Sequence, residues 1–236
     1  VWRFPDFLPK TFSLFYWSKS IPLLYEPLLN SFIIAVISTT IALLLVLGCF
    51  ENETTISHSK LDSVTRKSLW IIYLPLLVPQ VSFLFGTQTF FLSLNLQGTW
   101  VGMIWIHLVF VLPYVFLSLA NTYRSYDRRF SDSGTLLSGS AWKSFLQIKL
   151  VMLAKPILFS TAIGFSVSIA QYLPTLYVGA GRFATITTET VGLASGSDRR
   201  VIAVYAFCQL LLPLVVYTAA LLVPTFMFRN RAAMRN

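Results

Sequence analysis

The chain has 236 residues, 56% of them hydrophobic and only 11% charged, with a formal net charge of +9. An ordinary soluble domain carries about 25% charged residues, so a water-soluble fold would lack polar surface, and the basic excess fits a membrane surface better than nucleic acid. Two cysteines and two histidines, isolated from one another, suggest neither a disulfide framework nor a metal site, and no cofactor is expected.

The chain opens on Val rather than Met, and residues 1–25 are neither a basic-led signal peptide nor a clean span. The chain is therefore expected to be a fragment or the later part of a longer polypeptide, which leaves room for an earlier membrane helix. The aromatic residues Trp2, Phe4, Phe7, Phe12, Phe15, Tyr16 and Trp17 read as an interfacial segment lying against the outer surface. Charged residues are then absent from four windows, between Glu26 and Glu51, Lys67 and Arg124, Lys155 and Arg182, and Arg200 and Arg229. Each window is at least as long as the about 20 residues that a crossing helix needs. The second is long enough for two, with the turn Asn95-Leu96-Gln97-Gly98-Thr99 near its middle.

Five spans are thus predicted, at 28–50, 69–93, 99–119, 156–178 and 201–228, and the expected fold is an all-α polytopic membrane helix bundle over 28–228. Trp70 and Trp100 stand near span ends, where indole prefers the headgroup level. Pro156 opens the fourth span at a position where a missing N–H is harmless, while Pro75, Pro79, Pro113, Pro174 and Pro213 lie within spans and predict kinked, mutually packed helices.

Few polar residues interrupt these spans. Gln80 and Thr87 in the second could face a common cavity or bond to backbone near Pro79. His107 in the third has no acidic partner in any span and reads as a hydrogen-bonded packing residue rather than a proton relay. In the fourth, Thr161, Gly164, Ser168, Gln171 and Thr175 recur at intervals of three and four and are expected on one helix face. That face either packs closely on a neighbour or lines a solute pathway, and the two roles can coexist.

Alternation of spans puts Lys60, Arg66, Lys67, Arg124, Arg128, Arg129, Lys143, Lys149, Lys155, Arg229, Arg231 and Arg235 on one side. Arg3, Lys10, Lys19, Arg182, Arg199 and Arg200 remain on the other, a split of 12 to 6 among 18 basic residues. Basic loops are retained in the cytoplasm, so 51–68, 122–155 and the tail 229–236 are expected there and residues 1–27 outside. A loop between spans is usually short and polar, but 124–155 is long and carries Leu136, Leu137, Trp142, Phe145, Ile148 and Leu150 at helical spacing among polar positions that include Lys149. Two short helices with a bend at Ser138-Gly139-Ser140 are predicted, forming a knob for a cytoplasmic partner.

The run from Asp132 to Leu150 resembles the EAA-type cytoplasmic loop of binding-protein-dependent ABC importer permeases of type I. Asp132 takes the place of the family's Glu, Ser133 and Gly134 of the paired Ala, and Ser138, with Gly139 beside it, of the Gly. Leu137, Ser140, Trp142, Phe145, Ile148 and Leu150 match as they stand, while Val151 replaces the usual Pro. Five spans with this loop between the third and fourth resemble the family's core, in particular the second core of a fused permease. The stretch 185–209 is similar to the family's outer loop. The resemblance implies that Asp132, Ser133, Gly134, Leu137, Ser138, Gly139 and Trp142 couple to an ABC ATPase.

By the same resemblance the partners are a dimeric ATPase subunit, a second permease core in the same or another polypeptide, an extracytoplasmic solute-binding protein, and the bilayer of a bacterial inner membrane. No Gly is followed by Lys, so the chain has no Gly-Lys-Ser/Thr phosphate loop of its own, and neither zinc-protease nor serine-hydrolase motifs occur. The spans carry no Asp, Glu or Lys of the kind that ion-coupled carriers use. A transport subunit rather than an enzyme is expected, with a channel or secondary carrier of another family as the alternative.

Overall fold

A computed structural model describes residues 14–56, 70–196 and 198–227, and every regular element among them is helical. In chain order these are α1 (Phe15–Ile56), α2 (Trp70–Leu77), α3 (Gln80–Ser93), α4 (Trp100–Arg124), α5 (Arg128–Ser138), α6 (Ala141–Met152), α7 (Ala154–Ile169), α8 (Leu173–Gly179), α9 (Ile186–Ala194) and α10 (Arg199–Met227). Within α6, residues Phe145–Lys149 form a π-helical turn. Helices α1, α4 and α10 are each long and apolar enough to cross a bilayer alone, and two bent pairs, α2 with α3 and α6 with α7, bring the possible crossings to five. The chain is therefore an all-α multi-pass membrane bundle.

Helices α1, α4 and α7 pack against one another at its centre, with α10 laid over α7 and α9. At the end of the bundle that carries α5 and α6, Phe50 of α1 stacks on Phe116 and Tyr123 of α4, with ring centroids 4.8 and 5.0 Å apart. Toward the opposite end, Leu84, Met103, Ile106 and Val178 are fully buried together. Little of α10 is buried, and its exposed Leu210, Leu214, Leu221 and Phe226 suit contact with lipid tails.

Four expectations change. The first helix starts at Phe15, well before residue 28, and runs through Pro22 and Pro27. Tyr16 and Trp17 pack on α10 rather than lying against a surface: Trp17 meets Phe207 edge to face and Arg200 lies over the Tyr16 ring. The aromatic residues before Leu14, the loop residues 57–69 and the tail from 228 lie outside the described residues.

The second span is not one helix. It breaks between α2 and α3, which diverge by 116°. Pro79 has no N–H for the Pro75 carbonyl and disfavours helical backbone at Val78; its ψ of 123° ends α2.

The fourth span breaks as well. Helix α7 has 16 residues, about 24 Å at 1.5 Å per residue, which is short of the roughly 30 Å hydrocarbon core. Beyond a gap at Ala170–Tyr172 the chain resumes as α8. Pro174 cannot donate to the Ala170 carbonyl, but it sits without penalty in the first turn of a new helix.

An interhelical latch holds the loop that follows α8. The Ile186 N–H donates to Ser31 Oγ at 2.8 Å, and Asn30 Nδ2 donates to the Ala184 carbonyl at 3.0 Å, tying the start of α9 to α1. Thr185 and Thr188 form a reciprocal capping pair that fixes where α9 begins.

Candidate functional site

His107 of α4 is the centre of a buried polar group. Its Nδ1 lies 2.8 Å from Ser168 Oγ on α7, and its Nε2 lies 3.0 Å from Thr175 Oγ1 on α8. Ser38 of α1 adds a contact to Ser168 at 3.3 Å. Thr175 spends its one proton on the Gln171 carbonyl at 2.6 Å, so the ring donates from Nε2 and, in a neutral imidazole, accepts from Ser168 at Nδ1. Four helices are thereby cross-linked through side chains that are almost wholly buried. His107→Phe is expected to cost about 1–3 kcal/mol, because it strands the Ser168 and Thr175 hydroxyls partly unsatisfied. A lowered unfolding midpoint in mild detergent with fold retained is the result to look for.

The residues expected on one face of the fourth span are divided by its break. Gly164 and Ser168 are buried against α1 and α4, and an added Cβ at Gly164 would stand 2.7 Å from Val115 Cγ2 and 2.9 Å from Thr39 Cγ2. Thr161 is half-buried and donates to the Ile157 carbonyl of its own helix. Thr175, on α8, turns back to His107. Gln171 alone, in the gap, faces the open cleft.

That cleft has a volume of about 600 Å³ and is lined by the broken second span, Pro75–Gln80, together with Phe110, Tyr114, Val167, Ala170 and Gln171. Gln80 Nε2 donates to Gln171 Oε1 at 3.1 Å across it. The two broken spans thus meet at their breaks, where interrupted helices leave carbonyls such as that of Pro75 without helical donors. Irregular backbone at membrane depth is tolerated where it lines a cavity or is buried in protein. Thr87 is bonded to the Phe83 and Leu84 carbonyls of its own helix and does not join this pair.

At the end of the bundle, α5 and α6 form a helical hairpin. Asp127 caps α5 by accepting the Arg129 N–H, and Gly139 closes it in the left-handed region at φ 65°. Ser138 Oγ bridges to the Ser140 carbonyl over the bend. Gly134 permits the close approach of the two helices: a Cβ there would stand 2.3 Å from Ile148 Cδ1 and 2.7 Å from Ser144 Oγ. Ser144 Oγ also donates to the Ser131 carbonyl at 2.8 Å. Asp132 and Ser133 are exposed on α5. Leu136 and Leu137 are 87% and 89% exposed and Trp142 is 66% exposed, the last stacked on Phe145. Phe130 and Leu146 of the same two helices are exposed as well, so the hairpin carries an open apolar surface.

Lys149, expected on the polar side of α6, is instead buried at 6% exposure. Its ammonium meets Glu51 Oε1, which also accepts from the Tyr123 hydroxyl, and it lies 4.5 Å above the Tyr123 ring. Beside it Arg124 pairs with Glu53 at 3.2 Å. Sequence reasoning missed this junction. Its one signal was a pair of carboxylates, Glu51 and Glu53, directly after an uncharged span.

No protein-family model matches the chain. Over 210 residues the chain is 37% identical to the inner membrane ABC transporter permease protein YnjC of Escherichia coli (strain K12), a match covering 89% of this chain. The chain spans about two-fifths of that relative's length, 39%.

Proposed function

The chain belongs with the ABC transporter permeases of the inner membrane, and on that premise we propose that it serves an ATP-driven importer as one of two permease cores. In this reading a separate dimeric ATPase docks on the α5–α6 knob, which faces the cytoplasm. A solute-binding protein docks at the opposite end, and a second core, in the same or another polypeptide, closes the pathway. Alternating access moves solute through the cleft at the two broken spans, where Gln80 and Gln171 supply the polar contacts. Gly164, Ser168 and Thr175 hold the helices around it, and Thr161 and Thr87 are not required for contact with solute.

The observation that carries the reading is the knob. It presents Leu136, Leu137 and Trp142 to the outside on two helices fastened to each other at Gly134. Asp132, Ser133, Ser138 and Gly139 shape that hairpin and its exposed rim. Large side chains left open beyond the spans have no lipid to cover them and suit a protein groove.

The test is to isolate the full polypeptide from native membranes in mild detergent and identify the chains that accompany it. A stoichiometric partner bearing a Gly-x-x-x-x-Gly-Lys-Ser/Thr phosphate loop is expected. Leu137→Glu should reduce its recovery at least about tenfold, as removal of an interface hot spot does. If the partner is absent under conditions that preserve other membrane complexes, or is unaffected by the substitution, the docking role is wrong.

A further inference from the structure

The junction at Lys149 lies between the exposed knob and the spanning helices, and neither docking nor the cleft accounts for it. Lys149 occupies the last position of the π-helical turn of α6, a rare geometry that recurs where a helix must aim a side chain for a purpose. Its ammonium is enclosed by Glu51 from the end of α1, Tyr123 from the end of α4, and the Tyr126 ring at 5.5 Å. A buried ammonium cannot leave its counter-charge cheaply, so α6 is fixed at this point to two spanning helices at once. The Arg124–Glu53 pair, with Arg124 lying 5.7 Å from the Phe50 ring, fastens α4 to α1 at the same level.

Placement relative to the bend gives the junction its purpose. Helices α6 and α7 meet at Leu153 with a change of direction of 74°. A displacement applied at Leu137 or Trp142 would turn α6 about that bend and be absorbed there if nothing gripped α6 on the knob side. Lys149 grips it one turn short of the bend. The backbone adds its own tie, since the Leu153 N–H donates to the Lys149 carbonyl at 2.9 Å.

We propose that Lys149, paired with Glu51 and seated on Tyr123, is the positioning residue that carries displacement of the α5–α6 knob into α1 and α4; this rests on the reading of the knob as the docking surface for an ATPase. Leu136, Leu137 and Trp142 receive the motion, and Lys149 passes it on. Lys149 itself is almost wholly enclosed, with the Tyr123 ring as its floor, while the Glu51 carboxylate that holds it remains partly open to water.

The experiment uses the full polypeptide with its co-purifying ATPase, free of native cysteines and carrying Leu77→Cys in the cleft. The rate of labelling by a water-soluble maleimide is measured without nucleotide and after trapping with ATP and vanadate. The parent protein should change labelling rate at least about threefold on trapping. Lys149→Met should still recover the ATPase and hydrolyse ATP, yet show no nucleotide-dependent change. The exchanged pair Glu51→Lys with Lys149→Glu should restore at least half of it, which mere loss of packing would not allow. Should Lys149→Met fail to accumulate, Glu51→Gln carries the same expectation with side-chain size kept.

A full nucleotide-dependent change in Lys149→Met, or loss of the ATPase from it, overturns the proposal. Absence of any ATPase from the parent preparation is a different result, and it sinks the docking reading beneath.

Discussion

Gly164→Leu is expected to abolish recovery of folded protein, and Gly164→Ala to lower the unfolding midpoint measurably. Gly164 is the crossing point at which α7 lies on both α1 and α4. The Cβ of alanine alone would sit 2.7 Å from Val115 Cγ2, 2.9 Å from Thr39 Cγ2 and 3.2 Å from Val111 Cγ1. All three neighbours are β-branched and fully buried or nearly so, so their side chains have few other rotamers to adopt. Overpacking of this kind costs about 1–3 kcal/mol for one added methyl, and a leucine adds three further carbons where no space exists. Small residues at helix crossings in bilayers allow the close packing that replaces a hydrophobic driving force, so forcing α7 outward also stretches the His107 contacts to Ser168 and Thr175. Recovery of a monodisperse peak in detergent and thermal unfolding of the purified protein measure both variants. A Gly164→Leu protein that melts with the parent would mean that the helices cross elsewhere.

The second large effect is expected at the knob. Gly134→Leu should leave the spanning bundle folded, with an unfolding midpoint close to that of the parent, while recovery of the ATPase falls at least about tenfold. The added side chain enters the seam between α5 and α6, where Ile148 Cδ1 and Ser144 Oγ already occupy its first carbon's place. Ile148 can turn its terminal methyl aside, but Ser144 is buried and bonded to the Ser131 carbonyl and cannot. The helices must part, and Leu136, Leu137 and Trp142 lose their common arrangement. The seam lies outside the main apolar clusters of the bundle, so the damage stays local. Hot-spot residues act as a set, which is why the loss should match that of Leu137→Glu although Gly134 is itself buried. Parallel loss of the bundle's thermal stability would assign Gly134 to folding rather than to presentation of the knob.

Glycines that look alike in sequence therefore carry different loads. Gly164 and Gly134 are required by contacts with helices brought in from elsewhere. Gly139 is required by its own backbone, which lies at φ 65° with nothing near the missing Cβ. Only the last could be anticipated locally, from its place between two amphipathic runs.

Much of the membrane architecture was written in the sequence. Long uncharged windows can only be accommodated in lipid, where every backbone group must be satisfied within a helix, so their length and number set the bundle. The helical hairpin between Arg128 and Met152 was legible for the same kind of local reason: apolar spacing on either side of a Ser-Gly-Ser bend. Which prolines break a helix was not legible. Pro113 and Pro213 lie inside continuous helices, whereas Pro79 ends one and Pro174 starts another.

The local chemistry of those four residues is identical, a missing N–H and a fixed φ. What differs is the surroundings that distant parts of the chain supply, as where Gln80 and Gln171 bond to each other at the two breaks. Lys149 teaches the same lesson. Its helical position suggested a solvated face, but Glu51, ninety-eight residues away, and Tyr123 enclose it. Long runs without a charge thus determined which segments enter the membrane. The tertiary structure alone decided where helices break, where they touch and which charge is buried, because those depend on partners that no local window contains.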